Sequence, residues 1–267
     1  MANPTHHRAK KRFGQHFLHD PNIIRGIVAA INPKAGERVV EIGPGLGAMT
    51  CPLLEKLKIL EVVELDRDVI PQLEERCGGF GQLIIHQADA LKFDFGQLCT
   101  ESRGLRVVGN LPYNISTPLI FHLLDSSQKI RDMHFLLQQE VVQRITASPG
   151  GGDYGRLSIM VQYRCRTQYL FHVGRGAFRP PPKVESAVVR LEPYTELPHR
   201  AENERLFAQI VNQAFSQRRK TLRKSLKGLS EDRHFNAAGI DPGKRPEQLS
   251  VGEFVMLSNQ INQDKEA

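Results

Sequence analysis

Short apolar runs alternate with longer amphipathic segments between about residues 35 and 191. Runs rich in Val, Ile, Leu and Phe predict strands at residues 38–43, 59–66, 83–89, 105–110, 132–140, 157–165 and 186–192. Most of these runs are nearly continuous, which favours a parallel sheet covered by helices on both faces. Segments such as 50–58 and 69–76 have helical spacing and would form the crossovers. The pattern predicts an α/β doubly wound fold, with the last two strands as an antiparallel edge hairpin.

The pattern changes after Glu192. The stretch PYTELPH is typical of a linker, and the residues from Arg200 onward show helical patterns without a strand-like run. We therefore expect two domains, 1–193 and 194–267, of which the second is small and all-helical.

Composition narrows the class of protein. With 267 residues and 40% hydrophobic content, the chain can bury one substantial core and a small second one. No apolar run approaches the roughly 20 residues of a membrane span, and the N-terminal basic residues precede no apolar region, so we expect a cytoplasmic protein without membrane contact. The histidines show no metal spacing, and no metal is expected. The scattered cysteines predict reduced thiols, and they are Cys51, Cys77, Cys99 and Cys165.

The net charge of +7 and the pI near 9.3 favour a polyanionic partner such as nucleic acid. One basic cluster near the N-terminus consists of Arg8, Lys10, Lys11 and Arg12. A second lies near the other end and consists of Arg218, Arg219, Lys220, Arg223, Lys224 and Lys227. In RRKTLRKSLK, residues 218–227, the spacing predicts a helix with cations on one face and leucines on the other. Such a face can follow phosphates, although it is also typical of a solvated helix surface.

The stretch EIGPGLGA, residues 41–48, lies between the first strand and the following helix. Its glycines allow close backbone approach, and the helix N-terminus offers unpaired amides. Gly43, Gly45 and Ala48 satisfy a relaxed dinucleotide fingerprint, and Glu64 follows at the distance of a ribose ligand. From this loop alone, a nicotinamide cofactor, another adenosine-containing cofactor and a tight turn without a ligand all stay open.

Polar groups also follow the other strands. Glu41 lies at the end of the first strand, where a carboxylate can order the loop or meet a cationic ligand. Asp89 ends the third strand and can accept a hydrogen bond from an adenine amino group, and GNLPYN, residues 109–114, ends the fourth. Open α/β sheets bind ligands at the carboxyl ends of their strands, so these groups predict one site.

GNLPYN suits chemistry on an amine. An adenine exocyclic amine is a weak nucleophile because its lone pair is delocalised into the ring. The Asn110 side-chain oxygen and the Leu111 carbonyl can accept its hydrogens and direct the lone pair at a methyl donor, while Pro112 keeps the preceding residue extended. Tyr113 offers a ring on which a base can stack, worth about 1–3 kcal/mol. A turn with a tyrosine covering the core is the alternative.

The motifs EIGPGLG, ELD at 64–66, QADA at 87–90 and NLPYNIS at 110–116 resemble those of class I S-adenosylmethionine-dependent methyltransferases that act on adenine amines. The flanking stretches KRFGQHFL, YGRLS, FRPPPKVESAVVRL and FSQRRKTLRKSL are similar to those of bacterial 16S ribosomal RNA adenine dimethyltransferases. The resemblance covers nearly the whole chain in order and is weakest over the last 20 or so residues.

The resemblance implies S-adenosylmethionine as cofactor and dimethylation of two adjacent adenosines in the 3′-terminal hairpin of 16S rRNA in the small ribosomal subunit. The implied cofactor ligands are His16, Leu18, Gly43, Gly45, Glu64, Asp89 and Asn110. The implied catalytic residues are Asn110, Leu111 and Tyr113. The implied substrate contacts are Tyr113, Phe178 as a second base wall, Arg218, Arg219, Lys220 and Arg223. Family members commonly have Asn in place of His16, so the backbone of residue 16 is the expected contact.

Three other functions stay open at this point. A methyltransferase for 23S rRNA or DNA adenines would share NLPY, and only the flanking and C-terminal basic segments argue against it. A ribosome assembly factor would act mainly by binding, whereas a dehydrogenase would leave NLPY and the basic residues unexplained. We expect a monomer with a role in subunit biogenesis.

Overall fold

The computed structural model describes residues 15–217 and 219–266, so the N-terminal basic cluster and Arg218 lie outside the described residues. Contacts divide the chain into two units. The first comprises residues up to 142 together with 168–193, and the second comprises 143–167 together with 194–267. One division falls after residue 193, and two others fall after residues 142 and 167. Residues 143–167 belong to the second unit rather than the first, because Tyr154, Ile159 and Tyr163 are buried in the helical core.

A mostly parallel sheet forms the centre of the first unit. Its strands are β2 (Arg38–Ile42), β3 (Ile59–Glu64), β4 (Gln82–Gln87), β5 (Leu105–Asn110), β6 (Ile130–Gln138), β7 (Cys165–Val173) and β9 (Ser186–Pro193). Their order across the sheet is β4-β3-β2-β5-β6-β9-β7. Neighbours from β4 to β6 pair in parallel, and β6 pairs with β9 antiparallel. A separate antiparallel pair joins β1 (Phe17–Leu18) to β8 (Phe178–Arg179).

Helices connect the parallel strands, as such strands require. Helices α2 (Thr50–Leu57), α3 (Ile70–Cys77) and α4 (Ser116–Asp125) follow β2, β3 and β5, whereas α1 (Pro21–Ile31) precedes β2 and α5 (Gln139–Thr146) follows β6. The start of α1 shows how local sequence sets a boundary, because the Asp20 carboxylate accepts hydrogen bonds from the Asn22 and Ile23 amides. The predicted α/β doubly wound architecture is confirmed. None of the described helices is long and apolar enough to span a membrane.

The second unit is helical. Its helices are α6 (Arg156–Gln162), α7 (Glu204–Ser216), α8 (Leu222–Ser225), α9 (Asp232–Ala237) and α10 (Val251–Glu266). Apolar side chains of these helices form one core, in which Phe207, Ile210 and Phe254 are fully buried. This core is separate from the cluster under the sheet of the first unit.

The strand predicted at 157–165 is wrong, because most of this run forms α6. The Ser158 hydroxyl accepts a hydrogen bond from the Gly155 amide and donates one to the Arg144 carbonyl, which stabilises the first turn of a helix. The strand that neighbours β9 at the sheet edge is β7 instead. Short apolar runs do not separate helix from strand by periodicity alone, so the pattern misassigned this segment.

The continuous basic helix predicted at 218–227 is also wrong. Helix α7 ends at Ser216, and the four-residue α8 begins at Leu222. Thr221 has an extended conformation and its carbonyl accepts the amides of Lys224 and Ser225, which starts a new helix. The two-sided pattern nevertheless holds, because Leu222 and Leu226 are buried while the cations of this segment that the structure describes are exposed.

The prediction of four reduced thiols is wrong for one pair. Cys51 in the first turn of α2 and Cys77 at the end of α3 form a disulfide. Their Cα atoms are 4.9 Å apart because α2 and α3 pack against each other beside the glycine loop. Cys99 and Cys165 are free and buried.

Candidate active site

A cavity of about 360 Å³ lies in the first unit, at the carboxyl ends of the parallel strands. Its size falls within the range of small-molecule sites. It is lined by residues from the segments 15–18, 41–49, 63–65, 88–91 and 110–115. These segments are the ends of β2, β3, β4 and β5, together with the chain around β1. The segments at this edge of the sheet therefore line one continuous cavity.

The glycine loop that follows β2 forms one wall of the cavity. Gly43 and Gly45 have φ angles of +67° and +52°, in the left-handed region that favours glycine. A Cβ added at Gly45 would also lie 3.2 Å from the Phe17 ring. The Gly43 amide donates to the Val63 carbonyl at 3.0 Å, which ties the loop to β3. Because Gly43 and Gly45 have no Cβ atoms, the loop backbone can line the cavity directly.

Glu64 at the end of β3 holds this loop. One carboxylate oxygen accepts the Gly45 amide at 3.3 Å, and the other accepts the Asp66 amide at 2.7 Å. Glu64 is buried, and burial raises its pKa, although these amide hydrogen bonds act in the opposite direction. The carboxylate thus has a structural task in the loop and lines the cavity as well.

Glu41 lies in the floor of the cavity and is 1% exposed. Its Oε2 has no hydrogen-bond partner among the described residues. Burial and the nearby Glu64 charge raise the pKa of Glu41 to about 8. A buried carboxyl without a complete set of partners beside Glu64 makes this end of the cavity suited to a ligand that carries positive charge.

Asp89 lies in the turn after β4 and lines the same cavity. One carboxylate oxygen accepts the Leu91 amide at 3.0 Å, and the Asp89 carbonyl accepts the Lys92 amide at 2.9 Å. These bonds fix the side chain at the strand end. A carboxylate held in this way can accept a further hydrogen bond from a ligand amino group.

The NLPY motif forms the opposite wall. Asn110 ends β5, and the Leu111 amide donates to the Leu136 carbonyl at 3.2 Å, which continues the pairing with β6 past the strand end. The Tyr113 hydroxyl lies 2.6 Å from the Ser186 hydroxyl, and burial raises the Tyr113 pKa. The Tyr113 ring is therefore fixed and its hydroxyl is protonated at neutral pH.

The segment around β1 brings the implied N-terminal residues to the cavity. The His16 carbonyl accepts a hydrogen bond from the Asn110 side-chain nitrogen at 3.1 Å, so its backbone does meet the motif. Leu18 lines the cavity and is buried in the core. Gln15 also lines the cavity and donates to Asp66 at 3.0 Å. Sequence reasoning did not single out Gln15, although it lies within the KRFGQHFL stretch.

The prediction of Phe178 as a second wall is not met. Phe178 is 2% exposed and pairs with Leu18 across the β1–β8 ribbon, where it packs into the core. It is not among the residues that line the cavity. Ser186, which sequence reasoning missed, contacts the site instead through Tyr113. No local pattern marks Ser186, because its partner lies 73 residues away.

The basic residues among the candidate substrate contacts lie in the second unit, apart from Arg218, which is outside the described residues. Arg219 and Lys220 are exposed. Arg223 is exposed too and forms an ion pair with Asp232 at 2.9 Å. Within the described residues, no group of three His, Cys, Asp or Glu side chains could hold a metal ion.

A mostly parallel α/β sheet with this glycine loop, acidic strand ends and an NLPY motif defines a methyltransferase domain. The comparisons agree with that class. The chain belongs to the ribosomal RNA adenine dimethylase family, whose model matches residues 6–263. Membership makes the chain an rRNA adenine dimethyltransferase and contradicts the dehydrogenase alternative.

The matches to relatives and solved structures extend over 92% or more of the chain. A Pseudomonas putida protein named ribosomal RNA small subunit methyltransferase A is 58% identical over 267 residues, which is all of both chains. A dimethyladenosine transferase from Plasmodium falciparum has a TM-score of 0.80 and 26% identity, covering 94% of this chain and 98% of its own. The 23S rRNA methyltransferase ErmE has a TM-score of 0.73 and 24% identity, covering 92% and 100%, and this likeness concerns the fold alone.

Proposed function

We propose that this enzyme uses S-adenosylmethionine to dimethylate the exocyclic amines of two adjacent adenosines in the 3′-terminal hairpin of 16S rRNA. Its substrate would be the small ribosomal subunit or a cytoplasmic precursor of it. The observation that carries the proposal is that Asn110 and Tyr113 share one cavity with the glycine loop, Glu64 and Asp89. The number of methyl groups and the RNA site rest on the resemblance to relatives with small-subunit methyltransferase names.

The donor set of the cavity fits this cofactor. Gly43 and Gly45 allow close approach, Glu64 would accept ribose hydroxyls, and Asp89 would accept the adenine amino group. The cationic end of the molecule suits the side of the cavity that holds Glu41, whose Oε2 lacks a partner among the described residues. When bound, S-adenosylmethionine supplies a methyl group that is already activated by its positive sulfur.

Residues of the NLPY motif would hold the substrate amine. The Asn110 side-chain oxygen and the Leu111 carbonyl would each accept one amine hydrogen, which leaves the nitrogen lone pair free to point toward the donor. Tyr113 would stack on the base. Because these acceptors are preorganised by the chain, positioning and electrostatics would account for most of the rate enhancement.

The proton balance requires no strong base. Each transfer would form a nitrogen–carbon bond and break the sulfur–methyl bond of the donor, so the positive charge would pass from sulfur to the amine and be neutralised when one amine hydrogen departs as a proton. Asn110 and Leu111 stabilise that charge through their oxygen atoms until water takes the proton. After the first methyl transfer the amine keeps a single hydrogen, so one acceptor is enough to orient the amine for the second transfer.

Exposed cations of the second unit would bind the RNA backbone. Arg219 and Lys220 are exposed, while Arg223 shares its charge with Asp232. Contacts of this kind position a nucleic acid without reading its sequence, so they would supply affinity for the subunit. Arg218 belongs to the same proposed set by its sequence position.

The test is transfer of labelled methyl from S-adenosylmethionine to unmethylated small subunits, followed by nucleoside analysis. Large subunits and adenine-containing DNA are assayed in parallel. Dimethyladenosine in 16S rRNA alone is the expected result, and labelling of 23S rRNA or DNA instead would overturn the proposed substrate.

The Asn110→Ala variant separates enzyme from assembly factor. If the protein acts by methylating the RNA, this substitution should abolish turnover and leave subunit binding intact. If the unsubstituted protein binds both cofactor and subunits tightly but transfers no methyl group, the assembly-factor function replaces the one proposed here.

A further inference from the structure

Tyr113 is held by two hydrogen bonds, one at its side-chain hydroxyl and one at its backbone carbonyl. Its hydroxyl is 2.6 Å from the Ser186 hydroxyl, and Ser186 is fully buried at the start of β9. Its backbone carbonyl accepts a hydrogen bond from the Ser116 hydroxyl at 3.2 Å. The hydroxyl end of this side chain is therefore held by β9 and its backbone by the start of α4, so Tyr113 is the fixed side of the proposed base site.

The imidazole of His16 lies against this fixed ring. The two ring centroids are 5.8 Å apart and the planes differ by 24°, which is a stacked arrangement. A base between two parallel rings needs two contact distances of about 3.5 Å, or about 7 Å in all. The present separation is short of that, so one ring must move if a base is to enter between them.

His16 is the ring that is free to move. Its backbone is tied to the site by the Asn110 side chain at 3.1 Å, whereas its Nδ1 contacts the Pro180 carbonyl at 2.8 Å on the exposed side. Rotation of the side chain breaks the second contact and leaves the first intact. Partly exposed side chains change rotamer within nanoseconds, so such an opening is fast compared with turnover.

No other ring competes for this place among the residues that line the cavity. Phe178 is buried in the β1–β8 ribbon, and Phe17 contacts the glycine loop. An asparagine at this position would have no aromatic face, so stacking on Tyr113 depends on the imidazole of His16.

We propose that the His16 imidazole is the movable wall of the base site, which opens to admit the target adenine and then stacks on the face opposite Tyr113. Ser186 is a positioning residue that keeps Tyr113 as the fixed wall. This inference rests on the proposed function and assigns the side chain of residue 16 to the substrate, and its backbone to the NLPY motif.

The first experiment compares His16→Asn, His16→Ala and His16→Phe in the full-length protein. We measure kcat and KM for unmethylated small subunits, and the Kd of S-adenosylmethionine by calorimetry. The Asn and Ala variants should raise the KM for subunits about tenfold, because a base-stacking contact is lost. The Phe variant should restore the KM to within about threefold, since it keeps a ring but loses the Pro180 contact. The cofactor Kd should change less than about twofold in all three.

The matched control is His19→Asn, because His19 is exposed and does not line the cavity. It should leave the KM for subunits and the Kd of S-adenosylmethionine unchanged. The inference is overturned if His16→Asn leaves the KM for subunits unchanged in an active enzyme. It is also overturned if this substitution raises the Kd of S-adenosylmethionine and not the KM for subunits. An inactive unsubstituted protein would instead contradict the proposed function, so the two failures are distinguishable.

The second experiment tests Ser186 through Tyr113. Ser186→Ala and Tyr113→Phe each remove the same hydrogen bond, and each should raise the KM for subunits about threefold without changing the cofactor Kd. The double variant should resemble either single one, because the bond can be lost only once. Additive effects would overturn the positioning role, and Tyr113→Phe decides the question if the buried Ser186 substitution does not fold.

Discussion

The side-chain nitrogen of Asn110 donates a hydrogen bond to the backbone carbonyl of His16 at 3.1 Å, across 94 residues of sequence. A carboxamide has its donor and its acceptor on opposite sides of one carbon, so this bond also fixes the direction of the Asn110 oxygen. The contact therefore prepares an acceptor at the end of β5 before any substrate arrives. Preorganised acceptors of this kind are where electrostatic catalysis gains most.

Asn110→Asp should abolish most of the activity while keeping the side-chain shape. The carboxylate would place an acceptor against the His16 carbonyl, so the bond is lost and the orientation with it. We expect kcat to fall by about 10²–10³-fold, as for other preorganised catalytic hydrogen-bonding groups. Single-turnover rates at saturating cofactor and subunits measure this. The exposed Asn114 in the same cavity is the control, and Asn114→Asp should stay within about threefold of the unsubstituted rate. Equal losses in the two variants would contradict the role of the His16 bond.

Glu41 should make the protein less stable as the pH rises. The pKa of Glu41 is about 8 in the folded protein, compared with 4.5 for an exposed glutamate in the unfolded chain. Between these pH values the unfolded chain has lost a proton that the folded protein keeps. Stability from this group is thus complete below pH 4.5 and is lost as the pH rises through 8. The difference in unfolding free energy between the unsubstituted protein and Glu41→Gln should change by about 5 kcal/mol over this window. Urea unfolding at several pH values measures it, and a constant difference would contradict the raised pKa.

The same carboxyl should release a proton when the cofactor binds. A positively charged ligand in the cavity favours the ionised form of Glu41 and lowers its pKa, so protons leave the protein near pH 7. Calorimetry of S-adenosylmethionine binding in two buffers with different ionisation enthalpies counts them. We expect a release that Glu41→Gln abolishes. Equal binding enthalpies in both buffers for the unsubstituted protein would show that Glu41 does not sense the ligand.

The fold and the site differ in how far the sequence could predict them. The strand from Leu105 to Asn110 and the glycine loop were predictable because their signals are local: a nearly continuous apolar run, and glycines at positions that require left-handed φ angles. Motif order then placed Glu64 and Asp89 at neighbouring strand ends, which a parallel sheet brings to one edge.

Contacts between distant residues could not be predicted in this way. The Tyr113–Ser186 bond spans 73 residues and neither residue lies in a distinctive local pattern for it. The Cys51–Cys77 pair depends on the packing of α2 against α3, and Cα positions decide whether two cysteines can join. Phe178 was assigned to the site by resemblance, whereas the pairing of β1 with β8 buries it.

Asp132 should be the main electrostatic support of the sheet. Arg106 contacts the Asp132 carboxylate at 2.9 Å and Glu37 at 2.8 Å, and all three lie in the first unit. Burial alone would raise the pKa of Asp132, but His134 and Arg106 hold it well below its usual range. Stability from this group is thus present above pH 3.8 and is lost as the pH falls below that value.

Asp132→Asn should therefore lower the unfolding free energy at pH 7 by about 3–5 kcal/mol, because it leaves Arg106 buried with one partner fewer. The loss should shrink in acid. Chemical denaturation at pH 7 and pH 3 measures both values. Arg131→Gln is the control, since Arg131 is 43% exposed and its ion pair with Glu37 should contribute less than about 1 kcal/mol. A larger loss from Arg131→Gln than from Asp132→Asn would contradict the assignment.

The Cys51–Cys77 disulfide should couple the redox state of the protein to the cofactor loop. A Cβ added at Gly47 would lie 2.7 Å from the Cys77 sulfur, so the glycine loop packs directly on this bond. A loop closed over 26 residues contributes about 3 kcal/mol to stability. Replacing both cysteines with Ser should lower the unfolding free energy by that amount and weaken cofactor binding.

Reductant provides the matched control for this prediction. Reduced unsubstituted protein should behave as the double Ser variant does, and the variant itself should not respond to reductant. Thiol titration of the unfolded, unreduced chain should count only Cys99 and Cys165, whereas reduction should expose all four cysteines. Because Cys51 is partly exposed in the first turn of α2, reductant can reach the bond without global unfolding. A cofactor affinity that is the same in both redox states would show that the glycine loop holds its shape without the disulfide.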